Sequence, residues 1–155
     1  MMSLSKNILL VEDNPNDVEL TLEAFSEYNL VNRVQVVRDG AEALEYLRCQ
    51  GNYAGRPPGN PVVIFLDLKM PKVDGLELLK KIKSDEGLKW IPVVVFSSSS
   101  EDRDLIECYR LGVNAYVVKP VDFYEYINAA RELGVFWAII NEPPPAIKNG
   151  AGKIC

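Results

Sequence analysis

The chain has 155 residues, 48% hydrophobic and 25% charged, with a net charge of −5 and a pI of about 4.8. Length and composition bound it to a single globular domain. The acidic balance argues against nucleic acid as a partner, because phosphate neutralisation needs clustered Lys and Arg. No apolar run approaches the ~20 residues that cross a bilayer. "MMSLSKNILLVED" is not a signal peptide, so membrane partners are not expected and the cytoplasm is the expected compartment. Histidine is absent, which removes His-based acid–base chemistry, Ser-His triads and His metal ligands. Cys49, Cys108 and Cys155 are scattered and odd in number, and read as reduced thiols.

In chain order, Ile8 to Val11 is a buried strand. "NPNDVELTLEAFSEY" follows as a helix, with Asn14 as N-cap, Pro15 at the first helical position and Val18, Leu22 and Phe25 on one stripe. Val34 to Val37 is a second strand. "GAEALEYLRCQG" is a second helix, closed by Gly51. "NYAGRPPGN" is a turn-rich loop. Val62 to Leu66 is the third strand, and Leu76, Leu78, Leu79 and Ile82 mark a third helix. Val93 to Phe96 is the fourth strand. After "SSSS", a helix runs from about Glu101 to Leu111. Ser98 with Glu101, or Ser99 with Asp102, has capping-box spacing, and Gly112 is the stop. Ala115 to Val118 is the fifth strand. A last helix spans about Asp122 to Ile140, and "EPPP" ends it. Strands alternating with helices of this length mean βαβ units and a parallel sheet covered on both faces. The expected domain is 6–141, with 142–155 a mobile tail.

In such α/β folds, ligands sit outside the carboxyl ends of the strands. The residues at those ends are Glu12 and Asp13, Asp67, Ser97 and Lys119. Taken singly, each has a bland reading: exposed strand ends, helix caps, a turn serine, a surface lysine. Four strands placing such groups at one edge is a stronger signal than any of them alone. Three packed acids repel one another, and a hard divalent cation is the natural remedy. Mg²⁺ takes one or two carboxylates plus waters and phosphate oxygens. Lys119 and Ser97 are left to hold an anion. The conjunction suggests phosphate chemistry, with an aspartate as acceptor.

"ILLVEDNPND", "VVIFLDLKMPKVDG", "VVVFSSS" and "YVVKP" together resemble the receiver domains of response regulators in two-component signalling, over about residues 6 to 140. The resemblance implies a flavodoxin-like, doubly wound sheet of five parallel strands in the order 2-1-3-4-5, with helices on both faces. It implies that Asp67 accepts a phosphoryl group from a phosphohistidine of a partner histidine kinase. Asp13, Asp67 and the Lys69 carbonyl would ligate Mg²⁺, and Glu12 would act through a metal-bound water. Lys119 would contact the phosphoryl oxygens across a cis Lys119–Pro120 bond. Ser97 and Tyr116 would form the two-state switch, and the Leu68 and Ser98 amides would complete the oxyanion cradle. Ser98 and Lys69 would tune the lifetime of the phosphoryl state.

"VEDNPND", the "NYAGRPPGNP" loop and "LGVFW" are similar to single-domain receivers paired with phytochrome-type sensor kinases. With no output domain expected, the signal would be a change in binding to a downstream protein. The last helix, "DFYEYINAARELGVFWAII", carries two apolar stripes. Phe123, Ile127, Ala130 and Gly134 are expected to face the sheet. Tyr126, Ala129, Leu133, Phe136, Trp137 and Ile140 are expected to form a homodimer face. The strongest enzyme alternative is a haloacid-dehalogenase-like phosphatase. Those enzymes typically carry a second aspartate two residues after the nucleophile, where this chain has Lys69. A flavodoxin-like cofactor binder would need a phosphate cradle, and "EDNPND" is acidic and lacks glycine.

Overall fold

Four consecutive apolar residues, Ile8–Val11, form strand β1, and all are buried. Val63–Leu66 (β3) and Val93–Ser97 (β4) are buried throughout as well. Val34–Val37 (β2) and Ala115–Val118 (β5) are only partly covered. A computed structural model of the chain, which describes residues 6–145, accounts for this difference. The strands form one sheet in the order β2-β1-β3-β4-β5, with every pairing parallel. The two partly covered strands are its edges. The central three read as unbroken apolar runs because both their faces are packed.

The pleat sorts the side chains into two cores. Leu9, Val11, Ile64, Leu66, Val93 and Val95 meet α2 (Gly40–Arg48), α3 (Gly75–Ser84) and Cys108 of α4 (Asp102–Leu111). Ile8, Leu10, Val63, Phe65, Val94 and Phe96 meet α1 (Pro15–Ser26) and α5 (Phe123–Val135). Arg56 pins the long loop before β3. Its Nε donates to the Tyr46 carbonyl at 2.6 Å and its Nη1 to the Pro57 and Gly59 carbonyls.

Asn14 caps α1 as expected, its side chain accepting the amides of Asn16 and Asp17 at 2.9 and 3.3 Å. Neither capping box expected before α4 forms. Glu101 is the N-cap residue and makes no side-chain cap bond. Ser99 donates its hydroxyl to Asp104 at 2.5 Å and accepts the Glu101 amide at 3.4 Å rather than that of Asp102. Gly112, at φ 97°, stops α4 as expected. Helix α2 ends earlier than expected: Cys49 takes the left-handed position at φ 51°, and Gly51 lies beyond it in a short 3₁₀ turn, Gly51–Tyr53. Cys108 is a free buried thiol, and burial pushes it up to about 11. Cys155 and most of the expected tail lie outside the described residues.

The last helix departs from expectation in two ways. It is α-helical to Val135 and closes in a π turn, Phe136–Ile140. Its inward face is also rotated. Ala130 and Gly134 are buried, but Phe123 is 50% exposed, and Tyr126, expected to face outward, is buried. The Tyr126 ring lies 5.1 Å from that of Phe96, and its hydroxyl meets Thr21 Oγ1 at 3.0 Å. A tyrosine can be buried at little cost when its hydroxyl finds such a partner. At Gly134 α5 packs tightly on α1: a Cβ there would come within 2.7 Å of the Phe25 ring.

Candidate functional site

The sheet register brings the strand-tip residues together. The Glu12 amide donates to the Val37 carbonyl at 3.0 Å, the Asp67 amide to the Val11 carbonyl at 3.0 Å and the Lys119 amide to the Ser97 carbonyl at 2.8 Å. Each functional residue is thus the first past its strand, or the last within it, and is fixed by the neighbouring strand. Helix α3 braces the tip of β3 from the other side. The Gly75 amide donates to the Leu68 carbonyl at 3.0 Å. A Cβ at Gly75 would lie 2.4 Å from the Asp67 carbonyl oxygen, so the glycine of "KVDG" allows the helix start to press against Asp67.

Lys119 is the electrostatic centre. Its side chain is 7% exposed and contacts three carboxylates: Glu12 Oε1, Asp17 Oδ2 at 2.8 Å and Asp67 Oδ2 at 3.4 Å. Burial alone would lower the ammonium, but the carboxylates of Glu12, Asp17 and Asp67 outweigh it and hold Lys119 above the ordinary lysine range. Glu12 is 3% exposed, and burial pushes it up to about 8, with Lys119 opposing and Asp67 adding to the rise. The Lys119–Pro120 bond is trans, and no cis peptide bond occurs among the described residues, contrary to expectation. Trans is the favoured isomer of an X–Pro bond, and the Ser97 carbonyl with the carboxylates suffices to aim Lys119 inward.

Of the expected switch residues, Ser97 is fully buried and its Oγ accepts the Ser99 amide at 3.3 Å. Tyr116 is half-buried, and its hydroxyl donates to the Ser99 carbonyl at 2.8 Å. Leu68 is buried, while Lys69 and Ser98 are exposed. Two contributors were missed in the sequence. Asp17, in the first turn of α1, is a third acid on Lys119; the run "EDNPND" signals it only as helix-start charge. Ser99 joins Ser97, Tyr116 and Asp104 of α4, and nothing in a run of four serines singles it out.

The residues fit a divalent cation. Glu12, Asp13 and Asp67 each offer a carboxylate oxygen within 4.8 Å of the others. Asp67 Oδ1 is buried and has no hydrogen-bond partner, a costly state for a carboxylate oxygen unless a ligand claims it. The donors are all hard oxygens, suited to Mg²⁺, Ca²⁺ or Mn²⁺. A buried aspartate with a free oxygen, beside an ammonium and two further acids, can accept a phosphoryl group and hold its charge.

A parallel 2-1-3-4-5 sheet with this acid–lysine constellation at its carboxyl edge defines an aspartyl phosphoacceptor. The chain belongs to the response regulator receiver domain family, whose model matches residues 8–131. Members of this family serve as phosphoacceptors in two-component signalling, and that is the role of this chain. It is similar to the response regulator Rcp1 of Synechocystis sp., 38% identical over 132 residues covering 85% of this chain and 88% of Rcp1. The solved Mn(2+)-bound form of Rcp1 superposes with a TM-score of 0.84 at 37% identity, over 90% of this chain and 99% of that one. The phosphorylated cyanobacterial phytochrome response regulator RcpA gives 0.84 at 41%, over 91% and 99%. The bacteriophytochrome response regulator AtBRR gives 0.71 at 55%, over 90% and 100%.

Proposed function

We propose that residues 6–141 act as a phosphorylation-controlled binding switch in which Asp67 is the phosphoacceptor. The observation that carries this reading is the Asp67 carboxylate, which is buried at the tip of the central strand with one oxygen on Lys119 and the other unpartnered. The donor is a phosphohistidine of a sensor histidine kinase. Relatives named as phytochrome and bacteriophytochrome response regulators support a phytochrome-type kinase. Mg²⁺ is the proposed resident ion, held by Asp13, Asp67 and the Lys69 carbonyl, with Glu12 acting through a water. When bound, it offsets the charge of the acids and of the incoming phosphoryl group. That Rcp1 was solved in a Mn(2+)-bound form supports a divalent ion for this chain.

Within this scheme Lys119 neutralises phosphoryl oxygens, and the Leu68 and Ser98 amides complete the cradle. Ser97 turns its hydroxyl toward the phosphoryl group and Tyr116 follows, which changes the surface that a downstream protein reads. The chain then sheds the phosphoryl group by slow self-hydrolysis, with Ser98 and Lys69 tuning the rate, and turns over no separate substrate. It works in the cytoplasm; no helix among the described residues is long and apolar enough to cross a membrane.

Lys119→Ala tests the scheme directly. Lysine is a point cation suited to phosphoryl oxygens and does not ligate metals. The variant is expected to retain Mg²⁺ binding and to lose the tyrosine and tryptophan fluorescence response to beryllofluoride. Removing one partner of a buried ion cluster also costs about 3 kcal/mol or more of stability, so the metal-free variant should melt earlier. A full spectral response in Lys119→Ala would contradict the assigned role.

The last helix supplies the proposed homodimer face. Phe136, Ile139 and Ile140 are 46%, 45% and 65% exposed, and the Phe136 and Trp137 rings pack edge to face at 5.1 Å. Aromatic residues are favoured interface anchors, and a two-fold homodimer is the commonest assembly. Phe136→Glu with Trp137→Ala is expected to give a monomer that still phosphorylates at Asp67. Sedimentation of the unaltered chain as a monomer at ~100 μM, where a standard-size interface holds, would count against the dimer.

A further inference from the structure

Lys119 has three N–H donors and they meet three carboxylates: Glu12, Asp17 and Asp67. A phosphoryl oxygen can therefore reach Lys119 only by displacing one of them. Asp67 takes the phosphoryl group on its unpartnered Oδ1, which leaves the Oδ2 on Lys119 as an uncharged carbonyl oxygen, a weaker acceptor than a carboxylate. Glu12 is assigned to a metal-bound water. Asp17 has neither outlet. It sits on α1 rather than at a strand tip, and its 2.8 Å contact with Lys119 is the one side-chain hydrogen bond formed by its carboxylate among the described residues. Its backbone is fixed on both sides. The Asp17 amide donates to Asn14 Oδ1 at 3.3 Å, and its carbonyl accepts the Tyr126 hydroxyl at 3.4 Å. The backbone is therefore anchored, and the Lys119 contact is what holds the carboxylate in the site.

We infer that Asp17 is a positioning residue for phosphoryl transfer: it parks the Lys119 ammonium in the resting site and competes with the phosphoryl oxygens for it. The inference rests on the reading of Lys119 as the phosphoryl contact. Asp17 then sets how readily the site accepts a phosphoryl group and how long it keeps one, and it does so from outside the strand-tip motif. The link from Asp17 to Tyr126 also ties the occupancy of Lys119 to the α1–α5 packing.

The test is calorimetric titration of beryllofluoride into the full chain at saturating Mg²⁺. The substitution Asp17→Asn keeps the side-chain shape and one acceptor oxygen but removes the charge, and a charge-assisted hydrogen bond is about twice as strong as a neutral one. Asp17→Asn is expected to bind beryllofluoride roughly five- to tenfold more tightly, by that difference in hydrogen-bond strength. Its acetyl phosphate adduct, followed by intact mass, should also persist longer. Asp17→Glu restores the carboxylate and should return both values toward those of the unaltered chain, which a purely structural role for Asp17 would not require. Equal or weaker beryllofluoride binding by Asp17→Asn overturns the inference, as does Asp17→Glu behaving like Asp17→Asn. Absence of binding by the unaltered chain, or binding that survives Asp67→Asn unchanged, overturns the underlying reading of the site and the inference with it.

Discussion

Asp67→Asn is expected to abolish labelling by acetyl phosphate and Mg²⁺, while the unaltered chain gains one phosphoryl group, seen in intact mass as about 80 Da. The geometry leaves no second acceptor at this edge. Glu12 is engaged at both oxygens, one by Lys119 and the other by the Asn14 amide at 3.3 Å. The Asp17 carboxylate is held by Lys119. Asp13 is half-exposed and makes no ion pair with Lys119. Asp67 alone combines burial, contact with the ammonium and an oxygen without a partner. Asparagine fills the same space, so the variant should fold, and removing one of the crowded acids should leave its metal-free stability at least equal to that of the parent. A mass adduct of equal yield in Asp67→Asn would move the acceptor elsewhere and sink the assignment.

Most of the architecture was legible because the physics is local. Ile8–Val11, Val34–Val37 and Ala115–Val118 fall where the sequence reading puts them, and β3 and β4 differ by one residue at one end. A strand packed on both faces has to be an unbroken apolar run, and such runs are hard to mistake when turn residues flank them. The strand order came from family resemblance, since no local pattern specifies which strand neighbours which. The misreadings concern contacts made across long sequence separations. Helical spacing puts Tyr126 on the outward stripe, but Thr21, 105 positions earlier, satisfies its hydroxyl in the core. Helical spacing puts Phe123 inward, yet it lies in the first turn of α5 and is 50% exposed. Asp17 drew no role from the sequence because its partner, Lys119, is 102 positions away. The strand-tip residues were easier to find, since the fold class alone places them at one edge.

Mg²⁺ is expected to raise the melting temperature of the unaltered chain, and Asp13→Ala is expected to melt higher than the parent without metal and to ignore Mg²⁺. Glu12, Asp13 and Asp67 offer oxygens within 4.8 Å of one another, and Lys119 is the single cation that contacts the cluster among the described residues. Repulsion is therefore stored in the metal-free site. An ion bound by the folded state alone adds stability by mass action, about 2.7 kcal/mol at 100 times its dissociation constant. The pH dependence fixes the sign independently. Glu12 has an ordinary value of 4.5 and is raised to about 8 when folded, chiefly by burial. The folded state therefore holds a proton that the unfolded chain has lost, and the contribution of Glu12 to stability declines as pH climbs from 4.5 to about 8. Mg²⁺ competes with that proton, so its affinity should rise over the same interval and the stabilisation it confers should be greatest near the top of it. Thermal melts at fixed Mg²⁺ across that interval check both effects together. A melting temperature of the unaltered chain that does not respond to Mg²⁺ at either end would remove the metal site, while a response of normal size in Asp13→Ala would place the ion on other ligands.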